Sequence, residues 1–278
     1  MKKLRSTKSK ILIAEILYKI VTPFVGKGKR TVQRQKINYE VDLSEGIELS
    51  LYLFGSFQQQ ITKNRFLHLK ADDIIIDIGA NVGLMSLQYA AKVKQGMVYS
   101  FEPTHYAFEK FKKNLSLNPD LASRVIATQA FISEKSGNND SLVAYSSWKV
   151  DGTRNVNNHL VHQGSPKETT GVPVISLDDF VHKNHITKIN LIKIDTDGFE
   201  YEILKGARTV IVNFRPIIIL EVTLYSLQEK GITFDFYYDY FTGLGYRLFD
   251  LVTNVEVNMM NFRQFIPENG STDLIAIP

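Results

Sequence analysis

Glycines and carboxylates gather where apolar, strand-like runs end. The first such place is Ile74-Ile75-Ile76-Asp77-Ile78-Gly79-Ala80-Asn81-Val82-Gly83. Glycine lets the backbone turn tightly and lets a ligand approach it closely. A helix starting near Val82 would offer free N–H groups to a carboxylate or phosphate. A dinucleotide fingerprint needs G-x-G-x-x-G, but Asn81 stands at its third position, and the Lys-Ser/Thr of a P-loop is absent. Asp77, just before the turn, repels a pyrophosphate but suits a ligand with an ammonium group. S-adenosylmethionine carries an ammonium, a carboxylate and a sulfonium. Asp77, Gly79, Ala80, Asn81 and Gly83 therefore favour this methyl donor.

The second place is Glu102-Pro103, 25 residues beyond Asp77 at the end of the next strand-like run. An acid there can accept hydrogen bonds from both ribose hydroxyls. The plainer reading is a helix start. Adenine would lie beyond the third strand, near Ala130 and Phe131, although Phe131 also suits a core.

The third place combines Asp195, Asp197 and Glu200, after a fourth strand, with Glu221 at the end of a fifth. An alcohol is a poor nucleophile, so methyl transfer to it benefits from a general base. One of Asp195, Asp197 or Glu221 can act directly, with Asp195 also touching the cofactor. Alternatively the three hold Mg2+, a hard ion that takes oxygen ligands and lowers the acceptor's pKa. A third reading makes Asp197 and Glu200 the acidic first turn of a helix. His162 or His159 is a rival base, though a single loop histidine is more often a surface residue. The Asn/Asp-Pro-Pro-Tyr/Phe tetrapeptide of amine methylation is absent after the fourth strand, where Asp195-Thr196-Asp197-Gly198 stands. That favours oxygen as the acceptor atom.

These residues need a scaffold that brings strand ends together. From residue 71 the sequence alternates between strands and helices: strand 74–78, helix 82–94, strand 97–101, helix 104–117 and strand 125–131. After a break come an edge element at 172–175 and a helix at 177–181. Strand 190–194, helix 199–206, strand 216–222 and helix 234–244 follow. The last two strands, 246–251 and 273–277, suit an antiparallel pair. Such alternation predicts an α/β fold, a doubly wound and mostly parallel sheet with helices on both faces. Residues 37–70 read as a lead-in or cap, with a half-buried strand at 47–53, where apolar residues alternate, and a helix at 58–69. Residues 133–172 are polar, with little periodicity, and form an insertion on the acceptor side.

The chain has 278 residues, 44% hydrophobic and 22% charged, enough for a sizeable core. It has no cysteine, which excludes disulfides, thiolate zinc sites and cysteine-nucleophile methylation of cytosine. The net charge of +4 conceals an asymmetry. Residues 1–36 hold eleven Lys/Arg and one acid, Glu15, which leaves 22 bases and 28 acids in the rest. Basic character confined to an arm speaks against a nucleic-acid partner. Within the arm, Ile11–Val21 is too short and too charged to span a bilayer, and it lacks a signal peptide's cleavage site. A helix there would align Ile13, Ile16, Leu17 and Ile20. It would either pack on the domain or lie on an anionic membrane surface. A cytoplasmic location, with peripheral contact at the membrane's inner face, is the expectation.

Four segments together resemble the FkbM family of class I S-adenosylmethionine-dependent methyltransferases. They are Asp77–Gly83, Phe101-Glu102-Pro103, Ser176-Leu177-Asp178-Asp179-Phe180 and the segment from Ile192 to Ala207, which is the most specific. The resemblance covers about residues 70 to 250. It implies a Rossmann-like, seven-stranded sheet with an antiparallel C-terminal hairpin, and O-methylation of a sugar or natural product. Asp197 departs from the pattern, since family members commonly have Glu there. The expected organisation is a basic arm (1–36), a lead-in (37–70) and a methyltransferase domain (71–278). The expected acceptor is a hydroxyl of a bacterial glycan or glycolipid. A soluble polyketide or other small metabolite is the alternative, and a non-catalytic S-adenosylmethionine-binding protein a further one.

Overall fold

Continuous apolar runs become strands buried on both faces. The computed structural model describes residues 7–137, 142–145, 148–152, 164–167, 169–268 and 270–278. Its main sheet has seven strands in the order Arg247–Asp250, Ser271–Ile277, Ile217–Thr223, Leu191–Ile194, Ile74–Ile78, Met97–Phe101 and Val125–Thr128. Ser271–Ile277 runs antiparallel to both neighbours, and the other pairs are parallel. Alternate side chains point to opposite faces. Ile75, Leu191, Ile219 and Ile275 join Tyr89 and Phe111 in one core layer. Ile76, Ile192, Ile218 and Leu220 join Phe180, Leu204 and Phe241 in the other. Chain order reverses between Ile74–Ile78 and Leu191–Ile194, so a crevice opens at their carboxyl ends.

The fold class and the antiparallel final pair are as the sequence predicts, while the lead-in differs. Residues 47–53 lie in a helix, Gly46–Phe54, not a strand. The alternation misleads because Glu48 looks solvent-facing but is buried, paired with the Lys110 ammonium of helix His105–Ser116. Helix 58–69 shrinks to Gln59–Thr62. Asn64 ends it: its Oδ1 accepts the Phe66 N–H at 2.8 Å, and its amide donates to the Leu251 carbonyl at 2.7 Å. The third strand breaks after Thr128. Phe131–Ile132 pairs instead with Val174–Ile175 in a separate parallel ribbon. Within the insertion, Ala144–Tyr145 pairs with Pro166–Lys167.

A hairpin, Lys29–Arg34 with Ile37–Asp42, precedes the Gly46–Phe54 helix and has no clear sequence signal. Tyr39, Val41, Leu49 and Leu51 pack with Val82, Leu84 and Ala107, so the lead-in is fixed to the helices after the first two main-sheet strands. Among the described residues, no helix is long and apolar enough to cross a membrane.

The Glu48–Lys110 pair crosses this seam, and removing one partner strands the other's charge in the core. Lys110→Met alone should lower unfolding free energy by about 3–5 kcal/mol, and Glu48→Leu with Lys110→Met should recover most of it. Urea denaturation of the single and double variants measures this. Additive losses would show that the two groups do not interact.

Candidate active site

The crevice holds a cavity of about 310 Å3. Its floor exists because two strand ends nearly touch. Gly79 has φ 80°, and a Cβ there would lie 1.8 Å from the Asp195 carbonyl oxygen. Glycine is thus demanded by the neighbouring chain as well as by the turn. The Gly79 and Ala80 N–H groups both donate to the Phe101 carbonyl, at 3.0 and 2.9 Å, tying the turn to the second strand. Gly83 answers a different need: a Cβ there would meet the Phe111 ring at 2.1 Å. It does not line the cavity.

Glu102 lines the wall with Pro103, Ala130 and Phe131. Its Oε2 accepts the Asn81 N–H at 2.9 Å. Its Oε1 accepts the Thr104 N–H at 2.9 Å and hydroxyl at 2.6 Å. These bonds hold the carboxylate in one orientation. Burial raises its pKa, opposed by the Thr104 and Asn81 donors. Asn81 takes a left-handed φ of 51°, which asparagine tolerates better than most residues.

Asp77 is placed behind the wall and does not line the cavity. It is fully buried, with Oδ2 accepting the Ser86 hydroxyl at 2.6 Å. Its Oδ1 has no hydrogen-bond partner and lies 3.8 Å from the Lys193 ammonium. Asp195 is the carboxylate that reaches the cavity. Its Oδ2 accepts Lys193 Nζ at 2.9 Å and Gln58 Nε2 at 3.3 Å. Burial works against the Asp195 charge, but Lys193 overrides it and keeps the carboxyl below its usual range. Burial likewise disfavours the Lys193 charge, yet Asp195 and Asp77 hold its pKa above the usual lysine value.

Asp197 and Glu221 line the same cavity. Asp197 (φ 53°) and Gly198 (φ 114°) make a left-handed turn after the fourth strand. Solvent reaches the Asp197 side chain. Surrounding protein atoms, then the charges of Asp195 and Glu200, nevertheless raise its pKa to about 8. Glu221 is pushed well above its usual value by burial and then by Asp195 and Asp197. Glu200 is absent from the wall. Its Oε1 accepts the Thr196 N–H and hydroxyl, both at 2.9 Å, and so fastens the turn.

The Mg2+ alternative is not supported. Among the described residues, no three His, Asp or Glu side chains are placed to hold a metal ion, Asp195, Asp197 and Glu221 included. Asp195 Oδ2 is instead paired with the Lys193 ammonium. His159 and His162 lie outside the described residues.

Sequence reasoning missed Lys193, Gln58, Trp148 and Tyr225, all on the wall. Lys193 did leave a signal: a lone charge inside the apolar strand Leu191–Ile194. Gln58 and Trp148 left none, because they reach the site only through packing of the lead-in and insertion. The Trp148 ring lies where a Gly46 side chain would be, and its carbonyl accepts the Gly46 N–H at 3.1 Å.

In sheet order the strands run six, seven, five, four, one, two, three, with the seventh reversed and the cofactor-type turn at the reversal point. That arrangement is the class I methyltransferase fold. Residues 77–248 match the family model described as Methyltransferase FkbM domain, and the chain belongs to that family.

Among characterised relatives, hexuronic acid methyltransferase AglP of Haloferax volcanii is 27% identical over 178 residues, 63% of this chain and 66% of that protein. Methyltransferase sdnD of Sordaria araneosa is 28% identical over 197 residues, 59% of this chain and 75% of its own. The solved methyltransferase FkbM of Methylobacillus flagellatus KT is 17% identical, with a TM-score of 0.49, over 76% of this chain and 45% of that one. The matched region thus spans just under two thirds of the length of AglP and less than half of the solved protein.

Lys193 neutralises two carboxylates across adjacent strands. Lys193→Met should cost about 3–5 kcal/mol of stability, because it leaves buried acids uncompensated. Guanidinium denaturation should show this as a lower midpoint at pH 7. An unchanged midpoint would mean that the pair carries no structural load.

Proposed function

We propose that the protein is an S-adenosylmethionine-dependent O-methyltransferase whose acceptor is a sugar hydroxyl in a glycan or glycolipid. One observation carries this reading: Glu102, at the end of the second strand, and Asp195 and Asp197, after the fourth, line one cavity. The donor set fits the cofactor. Glu102 is oriented for ribose hydroxyls, while Pro103, Ala130 and Phe131 offer apolar surface to adenine. The ionised Asp195 and the buried, unpartnered Oε1 of Gln58 suit an ammonium. S-adenosylmethionine, when bound, supplies an electrophilic methyl group on sulfur.

The chain's own residues supply the rest. Asp197 is the general base, with a pKa close to ambient pH, where proton transfer is most effective. It takes the proton of the acceptor hydroxyl. Glu221, whose pKa is raised, lies on the same wall beside the acceptor. Trp148 and Tyr225 offer aromatic faces to a sugar ring. The sugar reading draws on the relative that acts on hexuronic acid.

Labelled donor incubated with fractionated glycans and, separately, with soluble metabolites tests the acceptor. Label in glycan hydroxyls is expected. Label only in metabolites would replace the acceptor but leave the donor site standing. Cofactor binding without turnover on any hydroxyl would favour a non-catalytic binding protein.

Two further outcomes follow from the site. Glu102→Gln should weaken cofactor binding about 10- to 100-fold by calorimetry, the worth of hydrogen bonds to a charged group. Asp197 acts only when deprotonated, so kcat/KM should climb with pH up to about 8. Asp197→Asn should remove that limb and lower kcat roughly a hundred- to ten-thousand-fold. A retained limb in the variant would move the base elsewhere.

A further inference from the structure

The N-terminal helix, Thr7–Val25, packs on the body with one side only. Ile11, Tyr18 and Thr22 are buried, and Tyr18 joins the cluster around Leu49 and Leu51 of the Gly46–Phe54 helix. The adjoining side carries Leu12, Ile16, Ile20 and Phe24 at four-residue spacing, with Ile13 beside them. These are 58%, 49%, 57%, 86% and 40% exposed. Scattered exposed apolar residues are ordinary, but five on one helix face form a patch that asks for a partner.

Charge identifies the partner. Residues 1–36 carry eleven Lys/Arg against one acid, while the remainder has an acidic excess. Lys19, Lys27 and Lys29 are exposed on or just beyond this helix. A second copy docking symmetrically would set one basic arm against the other, which is repulsive. An anionic lipid surface attracts the arm and repels the acidic body, so it fixes both affinity and orientation. The helix cannot cross a bilayer. A basic helix with an apolar face instead lies in the interface, where apolar insertion and polybasic attraction together give stable anchoring.

We propose that this helix docks on an anionic lipid bilayer, inserting Leu12, Ile13, Ile16, Ile20 and Phe24. It packs on the Gly46–Phe54 helix, whose Ile47 lines the cavity, so docking holds the site close to the membrane surface. The proposal does not rest on the acceptor's identity.

Co-sedimentation of the full chain with phosphatidylcholine vesicles, with and without about one third phosphatidylglycerol, tests it. Binding is expected only to the anionic vesicles and should fall steeply between about 0.1 and 0.5 M salt. Ile16→Glu with Ile20→Glu should reduce it at least about tenfold with an unchanged melting temperature, since neither residue packs on the body. Lys19→Glu with Lys27→Glu should reduce it comparably. Absent binding, or equal binding to neutral vesicles, would overturn the proposal. So would a wild-type dimer that the apolar variant turns into a monomer, which would make a second copy the occupant. Should the apolar variant lose its fold, unchanged binding by the charge variant overturns the proposal alone.

Discussion

The site is organised around one buried ammonium. Lys193 lies between Asp77 on the first strand and Asp195 on the fourth, at the point where chain order reverses. Its ammonium holds the Asp195 pKa down at the cavity wall, while burial raises that of Asp77 behind it. The Gly79 contact makes this possible, since any side chain there would force the strand ends apart.

The same charge arrangement separates the roles of the acids. Lys193 lowers the Asp195 pKa against burial, whereas burial, and then neighbouring carboxylates, raise those of Asp197 and Glu221. Three carboxylates in one cavity therefore shift in different directions because of what each one faces.

The N-terminal segment is part of the site rather than an appendage. Its hairpin and helix pack on the helices after the first two main-sheet strands and bring Ile47, Phe57 and Gln58 to the cavity. This region lies before the start of the family match at residue 77. That side of the crevice is accordingly shaped by parts of the chain outside the shared domain. Trp148 meets Gly46 across the same boundary, so the lead-in and the insertion form one rim.

Much of the fold was legible in the amino-acid sequence, because local patterns report burial directly. The apolar runs at 74–78, 190–194 and 216–222 marked buried strands, and the glycine turn with its acids marked the strand ends that meet. Local patterns failed where polar groups are buried by pairing. Glu48 made a helix look like an alternating strand, and Asn64 cut short a helix by bonding to a distant carbonyl. The sequence by itself determined the strand order's logic, the turn and the list of acids. Only the tertiary structure decided which acid faces the cavity, which is walled off and which is neutralised. Those answers depend on Lys193, Gln58 and Gly79 meeting across long stretches of chain, and no local pattern records such a meeting.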